Sequence, residues 1–266
     1  MSQPTALTIA GSDSGGGAGI QGDLKTFEAF GIYGTCVITA VTAQNTTEIT
    51  SIEELSAPLV RAQLLAVLAD FPPSAVKIGM LPAVPGIRAV ASLLAGVSAP
   101  IVIDPVLVSK TGMKLMRATS LSVMVRELFP LATLVTPNLP EASALAGFPI
   151  RSEADAKLAA RKIQALGPKA VLIKGGHGEG PELVDGLLDG RTWHRFSNPR
   201  IDSTSTHGTG CALASAIAAL LALGENLPDA VPRAIQFVRR AIEHAPGLGA
   251  GAGPLGHHWA SSSKDL

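Results

Sequence analysis

The chain has 266 residues, of which 47% are hydrophobic, 16% charged and 4% aromatic. Its 21 basic and 21 acidic residues balance to zero net charge, so no positive field is present to hold a nucleic-acid backbone, and we expect no nucleic-acid partner. An aliphatic interior of this kind suits a buried parallel sheet, and we predict one domain over residues 1–266. The pI near 7.0 favours self-association, so we expect a homodimer.

The cysteines and the apolar stretches indicate the surroundings in which the protein works. Cys36 and Cys211 are its two cysteines and form no C-x-x-C pair, so neither a disulfide framework nor a zinc cluster can be built from them. The N-terminal residues lack a basic leader pattern, and the longest nearly unbroken apolar stretch, 211–223, is shorter than the roughly 20 residues that span a bilayer. We therefore expect a cytoplasmic protein with no membrane role.

Short apolar runs recur along the chain and are typical of buried β-strands. Segments with helical spacing lie between them, for example behind Ser56 and behind Ser152. Strands that alternate with helices predict an α/β fold with a mainly parallel central sheet and helices on both faces. The predicted strands are residues 6–9, 36–41, 75–78, 101–103, 133–135 and 170–173.

The last third of the chain departs from this alternation. Apolar runs at 182–188 and 192–196 flank Asp189-Gly190, which predicts an antiparallel hairpin at the edge of the sheet. Residues 212–223 are so apolar that we expect a helix buried on every side. The Gly/Ala-rich tail 247–256 is expected to loop over the surface.

Small or polar residues follow each predicted strand at once. The carboxyl ends of parallel strands lie along one edge, where open α/β sheets bind ligands, so these residues together predict a binding site. The segments concerned are 11–19, 42–46, 79–80, 104–106, 136–141 and 174–177.

One of these segments imitates a different kind of site. Residues 17–22 match G-x-G-x-x-G, the fingerprint of a dinucleotide site. Residues 12–14, however, separate the glycines from the strand, and the second strand leads into neutral Gln44 where a ribose-binding acid is expected. We therefore do not expect a dehydrogenase. The sequence also has no Walker A motif, so any nucleotide chemistry is not of the P-loop type.

Residues 206–211 lead directly into the apolar helix. A helix start presents unpaired N–H groups and the positive end of the dipole, and Gly208 and Gly210 let a phosphate approach the backbone. This pattern predicts an anion site, with a glycine-rich turn before a core helix as the alternative. Cys211 lies in the first turn, where the dipole favours the thiolate, so it is either a working group or a small core residue.

Six blocks of the sequence closely resemble, in order and in register, the hydroxymethylpyrimidine and hydroxymethylpyrimidine phosphate kinases of thiamine biosynthesis. The resemblance spans residues 7–254 and implies a ribokinase-like fold. It also implies ATP with Mg²⁺ as phosphoryl donor and two successive phosphorylations of 4-amino-5-hydroxymethyl-2-methylpyrimidine. The blocks are GSDSGGGAGIQ at 11–21, TAQNT at 42–46, DPV at 104–106, TPNLPEA at 136–142, KGGH at 174–177 and THGTGC at 206–211.

The resemblance gives the last of these blocks a role in phosphoryl transfer. Thr206, Gly208 and Gly210 would bind the phosphoryl oxygens, and Cys211 would take or relay the proton of the attacking hydroxyl, or else stand by. The wider ribokinase-like group usually has Asp as catalytic base where Cys211 stands, although cysteine resembles the pyrimidine kinase branch. Lys174 would neutralise phosphate charge, with a solvated lysine in a turn as the alternative.

Asp104 and Glu141 are the candidates to hold Mg²⁺, because hard cations near phosphates prefer one or two carboxylates plus water. The spacing of Asn138 and Glu141 resembles the metal and phosphate motif of the superfamily. Glu141 can instead merely stabilise the start of its helix.

A second group of residues is expected to bind the substrate ring. Gln44 can donate to one atom and accept from its neighbour, which matches the edge of an aminopyrimidine, although it can also be a turn-stabilising amide. Asp23 is expected to reach polar groups of the substrate or to complement a helix dipole. Gly11 belongs to this ring-binding set, and Met80 and Val106 would supply its apolar walls.

Two other functions compete with this interpretation. A pyridoxine or pyridoxal kinase shares the fold and phosphorylates a hydroxymethyl group on a similar ring. A pyrimidine-binding sensor without turnover is the alternative from another class, but sensing does not need the phosphoryl-transfer groups at Asp104, Asn138, Glu141 and Cys211.

Overall fold

A single twisted sheet organises the protein. The computed structural model describes residues 3–109, 112–177 and 180–259, and within these residues nine strands form one sheet in the order β3-β2-β1-β4-β5-β6-β7-β8-β9. The strands are β1 (Thr5–Asp13), β2 (Tyr33–Gln44), β3 (Ile49–Glu54), β4 (Ala75–Ile78), β5 (Ile101–Ile103), β6 (Leu134–Val135), β7 (Ala170–Ile173), β8 (Glu182–Asp189) and β9 (Thr192–Pro199).

Helices cover both faces of this sheet. One buried hydrophobic cluster contains side chains of α2 to α6, and a second contains side chains of α1, α7 and α8. The helices are α1 (Gly19–Ala29), α2 (Ala57–Asp70), α3 (Val84–Leu94), α4 (Ala118–Glu127), α5 (Leu139–Ala146), α6 (Glu153–Gln164), α7 (Thr209–Ala222) and α8 (Leu227–Glu243). Every residue of α7 from 212 to 220 is buried, which confirms the prediction over that range, whereas Leu223, the last residue of the predicted helix, lies past the end of α7 and is exposed.

The pairing of the strands confirms a mainly parallel sheet with an antiparallel edge hairpin. Strands β2, β1, β4, β5, β6 and β7 are parallel neighbours, and β8 and β9 continue the sheet in antiparallel pairing. The chain leaves β1 towards β2 on one side and later returns to β4 on the other. This reversal of direction creates a crevice outside the carboxyl ends of β1 and β4.

Two strands extend further than their apolar runs predict. The residues from Gly11 to Asp13 lie on β1 and Gln44 ends β2, although both segments are predicted to follow their strands. The two strands stay paired past a bulge between Ala10 and Ser12. Backbone hydrogen bonds, which need no apolar side chains, therefore carry the sheet into the polar segments.

Strand β3 was not predicted. It pairs antiparallel with β2 at the edge of the sheet, and most of its side chains are exposed. An edge strand that buries little has no need of the apolar run from which the other strands were identified.

The Gly/Ala-rich tail loops over the surface in its first part, since residues 247–250 are exposed, but for the rest of the tail that prediction is wrong. The Ala252 N–H donates to Thr46 O at 3.0 Å, and the His207 N–H donates to Gly253 O at 3.0 Å. Gly253 and Leu255 are buried. The tail is thus part of the wall beside the start of α7.

No helix in the described part of the chain is long and apolar enough to cross a membrane.

Candidate active site

A cavity of about 390 Å³ opens at the carboxyl ends of the parallel strands. Its size is that of a site for a small organic ligand. It brings together nearly all the residues that the sequence singles out, with Asp23 as the exception. Those that line the cavity are Gly11, Gln44, Met80, Asp104, Val106, Asn138, Glu141, Lys174, Thr206, Gly208, Gly210 and Cys211.

The start of α7 forms one wall. Gly208 precedes the helix with φ of +81°, and a side chain there would collide with the carbonyl oxygen of Gly17. Glycine is therefore required both by the backbone conformation and by the close approach of another loop. The first N–H groups of a helix have no acceptor within the helix, so this wall presents hydrogen-bond donors and the positive end of the dipole.

A lysine and a carboxylate lie beside this helix start. Lys174 Nζ donates to Asp104 Oδ1 at 2.6 Å, and a Cβ atom on Gly210 would lie 3.3 Å from that Nζ. Burial by itself lowers the pKa of Lys174, but the charges of Asp104 and Glu141 outweigh burial and raise it. Lys174 is therefore a fixed cation next to the donors of α7.

Asn138 and Glu141 start α5 with a capping box. The Asn138 Oδ1 accepts from the Glu141 N–H at 2.9 Å, and Glu141 Oε2 accepts from the Asn138 N–H at 2.8 Å. Glu141 Oε1 also accepts from the Leu107 N–H at 3.3 Å. The helix-start role considered for Glu141 is therefore real, and the same carboxylate also lines the cavity.

The two carboxylates of this region influence each other. Burial raises the pKa of Glu141, the charge of Asp104 raises it further, and the charge of Lys174 opposes both. Carboxylate oxygens are hard donors that suit Mg²⁺. No cluster of three or more His, Cys, Asp or Glu side chains in the described ranges can hold a metal by itself. These oxygens thus fit a cation that keeps water or phosphate oxygens as its other ligands.

The expected thiolate at Cys211 is not what the structure supports. Burial raises the pKa of the thiol above its usual 9.0, and this effect outweighs the lowering by the charge of Lys77 and by a hydrogen bond from the Gly19 N–H. The prediction of a lowered pKa is therefore wrong, because desolvation of the sulfur exceeds the stabilisation that a helix start provides.

Asp23 does not reach the cavity, so its predicted contact with substrate is wrong. Its side chain is fully buried and accepts from Lys77 Nζ at 2.7 and 2.8 Å. The hydroxyls of Thr8 and Ser215 donate to the same carboxylate at 2.6 and 2.7 Å. Asp23 balances the charge of a buried lysine, and these four donated hydrogen bonds occupy both its oxygens.

The residues predicted to bind the ring lie around the crevice between β1 and β4. Gly11 faces Met80, whose Sδ would lie 3.2 Å from a Cβ on Gly11. The amide of Gln44 has its Oε1 3.2 Å from Thr42 Oγ1 and its Nε2 3.3 Å from His207 Nε2. The amide is therefore held by protein groups on two sides while it lines the cavity.

Asp13 organises the glycine-rich loop, a role that the sequence analysis missed. Its carboxylate accepts from the N–H groups of Gly15, Gly17 and Ala18 at 2.8 to 3.1 Å and from His207 Nε2 at 2.8 Å. Burial alone raises the pKa of Asp13, but the hydrogen bonds from His207 and Ala18 outweigh burial and lower it. The sequence feature that could have identified Asp13 is that it is a single acidic residue within a run of small residues.

Asp185 is a second cavity residue that the sequence analysis missed. It lies on β8, is buried, and accepts from the Gly175 N–H at 2.7 Å. Burial raises its pKa to about 6, although the hydrogen bond from Gly175 and the charge of Lys174 oppose this shift. An acid within a buried, otherwise apolar strand was the signal that could have identified it.

Helices on both faces of a mainly parallel sheet with an antiparallel edge hairpin are typical of the ribokinase-like class. A helix start with a fixed cation beside it equips a member of that class as a phosphotransferase. The chain belongs to the phosphomethylpyrimidine kinase family, whose family model matches residues 13–256.

Individual relatives agree with this membership. The chain is 48% identical over 260 residues to the hydroxymethylpyrimidine/phosphomethylpyrimidine kinase of Synechococcus elongatus, covering 97% of this chain and 99% of the relative. The protein of that name in Streptomyces coelicolor is also 48% identical over 260 residues, which cover 98% and 96% of the two chains.

Solved structures point to the same class. The crystal structure of phosphomethylpyrimidine kinase from Clostridium difficile has a TM-score of 0.81 at 41% identity, covering 90% of this chain and all of the other. The pyridoxal kinase of Staphylococcus aureus in complex with ADP has a TM-score of 0.91 at 33% identity, covering 100% and 96%. This protein is therefore a kinase.

Proposed function

We propose that this protein transfers the γ-phosphoryl group of ATP to the hydroxymethyl group of 4-amino-5-hydroxymethyl-2-methylpyrimidine. We propose that it then phosphorylates the resulting monophosphate, as steps in the biosynthesis of thiamine diphosphate. One observation carries this proposal. A single cavity contains both the amide of Gln44, which matches an aminopyrimidine edge, and the cation of Lys174 beside the start of α7.

The chain supplies the electrostatic requirements of phosphoryl transfer from residues on several elements. The N–H groups that follow Gly208 would bind the oxygens of the transferred group, and the ammonium of Lys174 would neutralise the charge that they carry. Such transfer needs alignment and charge stabilisation more than covalent help from the protein. Lys174 is suited to this role because its neighbouring carboxylates keep it protonated.

The donor is proposed to be ATP with Mg²⁺, held near Asp104 and Glu141. When bound, the metal would neutralise phosphate charge and orient the phosphate oxygens. The site fits the ion because two buried carboxylates share a single nearby lysine, and each repels the other's charge. Asn138 contributes indirectly, since its capping bond holds the backbone of Glu141 in place.

Cys211 is proposed to accept the proton that leaves the attacking hydroxyl. Its raised pKa means that most molecules carry the thiol at neutral pH, while the minor thiolate form is a strong base. The charge of Lys77 and the Gly19 N–H favour the thiolate once the proton has moved.

Pyridoxal kinase activity is the second candidate, and a specific observation favours it. Pyridoxal kinases of Staphylococcus aureus and Bacillus subtilis align with TM-scores of 0.89 to 0.91, against 0.81 for the phosphomethylpyrimidine kinase of Clostridium difficile. The higher sequence identity to phosphomethylpyrimidine kinases, 48% against 33 to 36%, favours the pyrimidine. Both rings carry a hydroxymethyl group, so the cavity alone does not separate them.

A coupled ATP assay tests the proposal. Purified protein with Mg²⁺ and ATP would be supplied in turn with the pyrimidine alcohol, its monophosphate and pyridoxal, and the products analysed by mass. We expect both pyrimidine compounds to gain a phosphate more efficiently than pyridoxal. Phosphorylation of pyridoxal with neither pyrimidine product would show that the proposed substrate is wrong.

A further inference from the structure

The environment of the Gln44 amide restricts which way the amide can face. His207 Nε2 lies 2.8 Å from Asp13 Oδ2 and 3.3 Å from the Gln44 amide. The Asp13 carboxylate is ionised at neutral pH, since the backbone N–H groups and His207 lower its pKa, and a carboxylate only accepts. His207 Nε2 must therefore carry a hydrogen, so it cannot accept one from the Gln44 NH₂ group, whereas an amide oxygen at that position would be a second acceptor for the Nε2–H that points at Asp13.

The other end of the amide leads independently to the same orientation. Thr42 Oγ1 donates to the carbonyl oxygen of Ser12 at 2.9 Å and lies 3.2 Å from the Gln44 amide. A hydroxyl has one hydrogen, and the carbonyl oxygen can only accept it. Thr42 is thus left as an acceptor and requires the amide NH₂ group. A half-turn about the Cγ–Cδ bond of Gln44 satisfies both neighbours, because the two ends of an amide have nearly the same shape.

We propose that Asp13 and His207 are positioning residues that set the substrate specificity of Gln44. Asp13 fixes the hydrogen on His207 Nε2, and His207 with Thr42 then holds the Gln44 oxygen towards His207 and its NH₂ towards Thr42. None of the three has to touch the substrate. The amide oxygen retains a lone pair and the NH₂ retains one hydrogen for a ligand.

This orientation selects one arrangement of donor and acceptor on the ring, and the inference rests on the proposed pyrimidine substrate. An aminopyrimidine edge offers an amino donor beside a ring-nitrogen acceptor, so the amino group would lie on the His207 side. The 4-oxo analogue offers the reverse, an oxygen acceptor beside a ring N–H donor. A fixed amide rejects the oxo ring in that pose, whereas an amide free to turn accepts both rings.

Calorimetric titration without ATP tests the inference through the ratio of the dissociation constants for the two rings. For the parent protein we expect the amino ring to bind at least about tenfold more tightly than the oxo ring. His207→Leu and Thr42→Val should each bring this ratio towards one by improving binding of the oxo ring. His207→Gln retains an N–H donor for both Asp13 and Gln44 and should keep the ratio. His258→Leu, at an exposed histidine, is the matched control.

The outcomes separate specificity from structural damage. A purely structural role would weaken both rings in parallel and leave their ratio unchanged, and that result in His207→Leu and Thr42→Val would overturn the inference. A parent protein with no preference between the rings would also overturn it. If His207→Leu fails to fold, the nearly isosteric Thr42→Val carries the test. Preserved selectivity in a protein that phosphorylates neither pyrimidine would instead contradict the proposed function.

Discussion

Lys174 Nζ lies 2.6 Å from Asp104 Oδ1, although 70 residues separate the two along the chain. Asp104 follows β5 and Lys174 follows β7, so the contact passes over the end of β6, which lies between them. Thr136, which follows β6, donates to the same carboxylate oxygen at 3.2 Å. One oxygen atom thus joins the ends of three neighbouring strands at the floor of the cavity.

Replacement of the lysine in this pair should damage catalysis. We expect Lys174→Met to lower kcat with the pyrimidine alcohol by about a hundredfold or more, because the transferred phosphoryl group loses its fixed cation. Steady-state kinetics measures this effect. Lys157→Met removes an exposed lysine from α6 and is the control. A kcat close to that of the parent protein in Lys174→Met would show that this lysine has a structural role and no part in catalysis.

Glu141→Gln separates the two roles of that residue. Glutamine can still accept from the Asn138 N–H, so the capping box should survive. Its NH₂ group cannot accept from the Leu107 N–H, so the free energy of unfolding should fall by about 1 to 3 kcal/mol. Turnover should fall strongly with little change in affinity for the pyrimidine, because the lost charge acts on the metal and phosphates. Measuring kcat over a range of Mg²⁺ concentrations checks this prediction. Unchanged kinetics would mean that Glu141 only caps its helix.

Gln44→Leu should impair recognition of the ring. Loss of both halves of the amide contact costs about 1 to 3 kcal/mol, so kcat/KM for the pyrimidine should fall at least about tenfold. The KM for ATP should hardly change, because the ATP contacts are proposed at the start of α7. Because the amide also contacts Thr42 and His207, some stability should be lost. Gln164→Leu, at the end of α6, is the control. Undiminished pyrimidine affinity in calorimetry would show that the Gln44 amide only stabilises the protein at the end of β2.

The pH dependence of kcat tests the proton transfer at Cys211. Below the raised pKa of this thiol, the thiolate fraction grows about tenfold per pH unit, so kcat should rise with pH and level off above that pKa. Cys211→Ala should be slow and should lose this slope, while Cys36→Ala should keep it. If Cys211→Ala keeps the pH profile of the parent protein, Cys211 does not accept the proton.

Asp185 should make the protein less stable as pH rises. Its pKa is about 6 in the folded protein against an ordinary 3.8, so the folded state binds the proton more tightly than the unfolded chain does. Stability should therefore fall as pH rises through this window and remain lower above it, by about 3 kcal/mol.

The variant Asp185→Asn isolates this contribution. Its amide can still accept from the Gly175 N–H but has no charge to bury, so the difference in stability between about pH 4 and about pH 8 should shrink. Urea unfolding of parent and variant at both pH values measures it. Equal pH dependence in the two proteins would assign the effect to other groups.

Local sequence patterns were sufficient for the elements that are buried on all sides. Strands β4, β5 and β7 begin and end where their apolar runs do, and α7 is as enclosed as its composition indicates. The polar segments after the strands could be assigned to one edge because parallel strands share a direction. The spacing of apolar residues along the chain indicates which residues are buried, and all of these elements are buried.

The partners of polar side chains became known only from the folded chain. Asp23 contacts Lys77, which is 54 residues away along the chain, and Asp13 contacts His207, which is 194 residues away. Hydrophobic periodicity carries no information about pairs so far apart in sequence. Strand β3 forms by backbone pairing with little burial, and the pKa of Cys211 rises because burial among other segments disfavours the charged thiolate. Desolvation and long-range pairing depend on which segments meet in space, whereas the helix dipole and the apolar repeat belong to a single segment.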